Sequence, residues 1–332
     1  MINYDELRKI INNIEDPHYK KPLGELEGIK KLVIGPTGIV ELEIQLKDRL
    51  VNETKIKPVL VKLIKQELGF PGLKLSFTES DYIPSGSKQL IYIAVCSGKG
   101  GVGKSSVTAN LAKAMLRLGV RAGVIDADIY GASIPQILNV PQSKVHADEN
   151  ESMIPLIGEG IETMSVYFFM GDKPLMWRGV MLGKMLDHFF HGVKWNDETE
   201  VILIDLPPGT GDVAIDIQKM CPQTKVLVVT TPHINASSVA LKAGTGSKAL
   251  GHEILGVIEN MSYYMNPVNF EKDFIFGNGG GELVAQKLET ELLAQIPIKQ
   301  PDDKTKYTFD YDEVGLTYNE LAMKILSMIG LR

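Results

Sequence analysis

The sequence predicts an α/β protein with a mostly parallel sheet flanked by helices, preceded by a small α+β domain. Three observations carry this. The runs "IYIAVCS", "AGVIDAD", "EVILIDL", "KVLVVTT" and "ILGVIEN" are almost wholly apolar and alternate with helical stretches, as strands buried on both faces do. The first run feeds directly into the glycine-rich "SGKGGVGKSS" and then a helical pattern. Before Ile91 the texture differs: apolar residues alternate or recur at helical spacing, the mark of elements with one buried face.

In chain order, residues 1–79 form the small domain. "NYDELRKIINNI" spaces Leu7, Ile10, Ile11 and Ile14 as a helix does. "GIVELEIQL" alternates as a half-buried strand, "IKPVLVKLIKQELGF" returns to helical spacing, and "LKLSF" is a short second strand. "TESDYIPSGSKQL" is polar and rich in turn formers, so residues 80–90 are assigned as a linker. Residues 91–332 form the large domain.

Composition narrows the functional classes. A net charge of −6 over 332 residues gives no support to nucleic-acid binding. The N-terminus lacks a basic segment followed by an apolar one, and no apolar run is long enough to span a bilayer. Two cysteines, Cys96 and Cys221, suit a reducing cytoplasm rather than a disulfide framework. The C-terminal "YNELAMKILSMIGLR" is amphipathic but offers only Lys324 and Arg332 to anionic lipid, so it is expected to dock on the core rather than anchor to a membrane.

Gly98 to Ser105 matches G-x-x-x-x-G-K-[ST] between a strand and a helix, the context in which backbone N–H groups and a helix N-terminus cradle phosphates. The fold class is therefore that of a P-loop NTPase. Gly98, Gly100, Gly101, Val102, Gly103, Lys104, Ser105 and Ser106 are candidate contacts to ATP. Lys104 is placed to reach the β and γ phosphates, and the Ser105 hydroxyl to ligate Mg²⁺. Asp126 and Asp128 end the next strand two residues apart, on one face of an extended chain. Asp128 is the candidate for orienting the attacking water, and Asp126 for supporting Mg²⁺ through a water, each with a helix cap or turn role as the alternative. Asp205 closes "VILID" as a carboxylate for water-mediated Mg²⁺ binding. In the stiff bend that follows, Gly209 is the candidate to sense a γ-phosphate through its N–H.

The early lysine in "KGGVGKS", Lys99, resembles the deviant loop of the MinD, ParA, nitrogenase iron protein and ArsA ATPases. That resemblance implies that Lys99 acts across a homodimer interface. Together "SGKGGVGKSS", "DADIYGASIP", "WRGVM", "DLPPGTGD", "VVTTP" and "ENMSYY" resemble, over residues 88–330, the Mrp/NBP35/ApbC family of iron–sulfur cluster carrier ATPases. Residues 1–79 are similar, more weakly, to the MIP18-like domain often fused ahead of it. The resemblance implies a homodimer with a nucleotide in each subunit and a base-recognition role for Asn260. It also implies a cluster held by a Cys-Pro-x-Cys motif just after "NMSYF". Here that place reads Asn266-Pro267-Val268-Asn269. A neutral amide does not replace a thiolate on cluster iron, so no iron–sulfur cluster is expected on these residues. The expectation is an ATP-driven switch with an unknown protein partner or DNA as its target. The alternative is iron–sulfur carriage with ligands from elsewhere, Cys96 and Cys221 included.

Overall fold

The computed structural model describes the chain except residues 1–3, 19–21, 27, 47–48, 80–89, 129–130, 150–151, 171–178 and 210–211. It divides into two compact units, residues 1–89 and 90–332. The expected linker falls almost wholly outside the described residues, as do Trp177 and Arg178 of "WRGVM" and Thr210 and Gly211.

The first unit contains helix α1 (Tyr4–Asn12), strands β1 (Ile29–Ile34) and β2 (Ile39–Leu46), helix α2 (Arg49–Val61) and strand β3 (Gly72–Glu79). Its sheet has the order β1-β2-β3, with β1 antiparallel and β3 parallel to β2. Val40, Leu42, Ile44 and Leu46 of β2 are buried at every second position against Leu7 and Ile11 of α1, as strand and helix periods require. Strand β1 has no counterpart in the sequence reading: it is an edge strand burying only Leu32, so "IKKLVI" carries no alternation. Helix α2 starts earlier than its apolar spacing suggests, contains Pro58 and runs into a π-helical turn at Lys62–Glu67.

The second unit opens with β4 (Ile91–Ser97), α3 (Lys104–Arg117), β5 (Arg121–Asp126) and α4 (Ile134–Ile137). The short strands β6 (His146–Ala147), β7 (Met153–Ile154), β8 (Leu156–Gly158) and β9 (Ile161–Ser165) lead to α5 (Tyr167–Met170) and α6 (Gly179–His191). Then come β10 (Thr199–Asp205), α7 (Asp212–Met220), β11 (Lys225–Thr230), α8 (Ile234–Ala249) and β12 (Ile254–Glu259). A two-stranded hairpin, β13 (Tyr264–Met265) and β14 (Lys272–Asp273), precedes α9 (Gly280–Leu288), β15 (Leu292–Gln295) and α10 (Glu313–Met328).

The large sheet has the order β15-β12-β11-β4-β10-β5-β9-β8, parallel throughout except β8. Strand β4 lies between β10 and β11 while its helix crosses to β5, so its carboxyl end opens at a topological switch point, where ligands bind in such sheets. Central strands are buried almost end to end, as their unbroken apolar runs require. Two apolar clusters cover the sheet; one includes Val107, Leu111 and Met115 of α3 with Leu321 and Ile325 of α10. The C-terminal helix thus docks on the core. No helix among the described residues is long and apolar enough to cross a membrane.

Candidate functional site

The loop from Ser97 to Lys104 joins β4 to α3. Gly101 and Gly103 have φ of +83° and +81°, a region that favours glycine. Gly98 passes under α8, where a Cβ would lie 2.1 Å from the Val239 backbone. Lys99, Gly100, Gly101, Val102, Gly103, Lys104, Ser105, Ser106 and Asp128 line a cleft of about 1420 Å³ at the carboxyl end of the sheet. Its far wall includes Pro207, Pro208 and residues of α6 and α7.

Beneath the loop, a buried Lys104 pairs with a buried Asp205, Nζ to Oδ1 at 2.7 Å. Ser105 Oγ donates to Asp205 Oδ2 at 2.6 Å, and Thr108 Oγ1 donates to Asp205 Oδ1 at 2.9 Å. The sequence reading brought Lys104, Ser105 and Asp205 together but missed Thr108. Its signal was present: it sits one helical turn beyond Lys104, on the same face. A carboxylate and a hydroxyl in contact are hard oxygen donors suited to Mg²⁺, so these residues fit the ion that the loop motif implies.

Asp126 is buried and does not line the cleft. Its oxygens accept from Asp128 N (3.2 Å), Ile134 N (3.3 Å) and Ser165 Oγ (3.2 Å). Burial and the neighbouring Asp205 charge push its carboxyl well above the usual carboxylate range. Asp128 does face the cleft and accepts from Gly131 N at 3.1 Å. Lys99 is exposed at the cleft rim, and its ammonium makes no hydrogen bond or ion pair with the described residues.

Two candidates bond to the loop and its strand. The Gly209 N–H donates to the Ser97 carbonyl, at 2.8 Å. The Asn260 amide donates to the Val102 carbonyl inside the loop, at 2.9 Å. The missing Cβ of Gly103 makes room for it: an ideal Cβ there would lie 2.2 Å from Asn260 Nδ2.

The segment carrying Asn266 and Asn269 forms the β13–β14 hairpin. Asn266 Oδ1 accepts from Val268 N (3.0 Å), and Asn269 Oδ1 accepts from Glu271 N (3.1 Å). Their amides donate to Asp273 (3.3 Å) and Glu271 (2.9 Å). Both side chains act as turn caps, and Val268 and Phe270 stand 87% and 78% exposed at the tip. The chain's two cysteines are 2% and 3% exposed in the core. Burial pushes the Cys96 thiol up to about 12, so it resists forming the thiolate a cluster needs. Among the described residues, no group of three or more Cys, His, Asp or Glu is placed to hold a metal. The described residues of this chain alone do not fit an iron–sulfur cluster.

The model of the ParA family, described as NUBPL iron-transfer P-loop NTPase, matches residues 89–324. An iron–sulfur cluster carrier protein of Bacillus subtilis is 40% identical over 98% of both chains. An Archaeoglobus fulgidus nucleotide-binding protein in complex with ADP is 31% identical, covering 70% of this chain and 86% of its own, with a TM-score of 0.54. The septum site-determining protein MinD of Pyrococcus horikoshii, complexed with Mg-ADP, shares the fold at 23% identity and a TM-score of 0.53, over 73% of this chain and 98% of its own.

Proposed function

We propose, for a chain that belongs to the ParA/NUBPL family of iron-transfer P-loop NTPases, that it is an Mg²⁺-dependent ATPase working as a homodimeric switch. The observation that carries this reading is the buried Lys104–Asp205–Ser105 constellation under a complete phosphate loop. Lys104 neutralises the buried Asp205. Lys104 would serve the β and γ phosphates of ATP, and Ser105 and Asp205 would hold the ion, Asp205 through water. Mg²⁺ there supplies charge neutralisation on the phosphate oxygens.

Asp128 is the residue placed to orient the attacking water. Asp126 supports it from behind, since one of its oxygens holds the Asp128 N–H and the other the start of α4; we therefore place it off the ion. Lys99 makes no hydrogen bond or ion pair with the described residues of its own subunit and serves the nucleotide of the second copy. Gly209 leaves the Ser97 carbonyl when a γ-phosphate competes for its N–H, which makes the following bend responsive to nucleotide. Asn260 shapes the phosphate loop.

The output is contact with another protein, with DNA a weaker candidate given the net charge. In the second reading, favoured by the carrier names of the relatives, the cluster is cargo held by ligands other than Asn266 and Asn269, from a partner protein or from Cys96 and Cys221. One experiment separates the readings: iron, acid-labile sulfide and ATP turnover on protein reconstituted without oxygen. ATP turnover without a stoichiometric cluster supports the first. A stoichiometric cluster lost in Cys96→Ala or Cys221→Ala would overturn it and return carriage on relocated ligands.

A further inference from the structure

Glu259 ends β12 as a fully buried carboxylate inside an otherwise apolar strand. Among the described residues, no lysine, arginine or histidine bonds it. Three neutral donors satisfy it instead: Ser262 Oγ at 2.6 Å and Gln295 Nε2 at 2.9 Å on Oε1, and the Gly281 N–H at 2.6 Å on Oε2. Burying a carboxylate is costly unless its hydrogen bonds are complete, so this position needs a reason.

The three donors supply one. Ser262 begins the excursion that carries the exposed hairpin, and Gly281, in the first turn of α9, ends it. Gln295 is the last residue of the edge strand β15. One carboxylate therefore pins both ends of the excursion to the sheet. The glycine run serves the same joint. A Cβ on Gly281 would lie 2.7 Å from Glu259 Cβ, and one on Gly280 would lie 2.3 Å from the Pro232 carbonyl oxygen.

The same strand end reaches the phosphate loop. Asn260, the next residue, holds the Val102 carbonyl. Met261 then takes φ of +53°, a conformation a long side chain rarely adopts and that persists only when surroundings enforce it. Its Cε would lie 3.5 Å from a Cβ on Gly103. This turn sends residue 260 toward the loop and residue 262 back to Glu259. A shift of the loop carbonyl is thus delivered to a joint with little slack.

We propose that Glu259 is a positioning residue that couples the phosphate loop to the hairpin, so that the presentation of Val268 and Phe270 depends on the nucleotide. The inference rests on the nucleotide reading of the cleft given above. The test is amide hydrogen exchange across residues 264–276 of the full chain, without nucleotide and with Mg-ATP or Mg-ADP, alongside a nucleotide-binding titration on the same samples. Wild type shows hairpin exchange that changes with nucleotide. Glu259→Gln still binds nucleotide, and that difference disappears. A merely structural role would lower the melting temperature and leave the difference intact. Ser262→Ala and Gln295→Ala each remove one bond to Glu259, and carry the test should Glu259→Gln not fold; each shows a reduced difference. Bound nucleotide with an unresponsive wild-type hairpin, or a full response in the variants, overturns the coupling alone. Failure of wild type to bind nucleotide overturns the reading of the cleft together with it.

Discussion

Gly101 and Gly103 offer a controlled comparison, because both have left-handed backbone and only one meets a neighbour. In Gly101→Ala the new Cβ has nothing within 4 Å, so the cost is conformational, about 1–2 kcal/mol for a non-glycine residue at such φ. In Gly103→Ala the same cost applies, and the Cβ would also lie 2.2 Å from Asn260 Nδ2. The amide has to leave the Val102 carbonyl, and a buried polar group left without a partner costs about 1–3 kcal/mol. Gly103→Ala is therefore less stable than Gly101→Ala by about 1–3 kcal/mol, which for a unit of this size lowers the melting temperature by about 2–4 °C per kcal/mol. Scanning calorimetry on the two variants reads the difference directly. A double-mutant cycle with Asn260→Ala then assigns it: with the amide gone, the two alanines cost the same. Equal melting temperatures in the Asn260→Ala background and unequal ones with Asn260 intact are expected. If the two variants already melt together in the wild-type background, Asn260 does not hold the loop, and the route from loop to hairpin is lost with it.

The cleft makes three further predictions. Lys104→Ala abolishes ATP binding by calorimetric titration and destabilises the unit by about 3–5 kcal/mol, since it strips the countercharge from a buried carboxylate; unchanged ATPase activity would refute the assignment of the phosphate loop. Lys99→Ala keeps ATP affinity, because the ammonium makes no hydrogen bond or ion pair with the described residues of its own subunit, but turns over more slowly; normal turnover would sink the role across the dimer. Asp128→Asn keeps the Gly131 contact and ATP affinity and loses turnover by about 10²–10⁴-fold, the usual contribution of a positioned proton acceptor, whereas a rate near wild type in a phosphate-release assay would move the water-orienting role elsewhere.

What the sequence made legible was local. A phosphate loop is a contiguous string in a fixed context, so Gly98 to Ser106 could be read as one unit. The central strands were equally plain because burial on both faces leaves their middles apolar, with polar residues only toward the ends. The edge strands β1 and β15 escaped for the opposite reason: β1 buries one residue, and β15 is four residues long with Gln295 turned to Glu259. The partners of Gly209 and Asn260 were hidden too. Backbone bonds such as Gly209 N–H to Ser97 leave no residue-type signature, and Asn260 meets Val102 across 158 positions of chain.

The asparagines of the hairpin show how a sequence reading can name a substitution and miss its consequence. Judged by ligand chemistry, Asn266 and Asn269 are a loss, since an amide does not bind cluster iron as a thiolate does. Judged by backbone chemistry they are a gain. Each side-chain oxygen accepts an N–H two residues on, Val268 for Asn266 and Glu271 for Asn269, a contact that short amides make well. The turn is closed by its own polar groups, and Phe270 is held at φ of +57° with its ring in solvent. A decayed site would be expected to leave a slack loop with polar groups facing water. This one is bonded at its tip by two asparagines and at its base by Glu259, and what it spends that order on is the display of apolar side chains. Under the proposed function that display fits a contact with another protein, so the hairpin, rather than the two cysteines in the core, is where the proposal looks for the output of the nucleotide cleft.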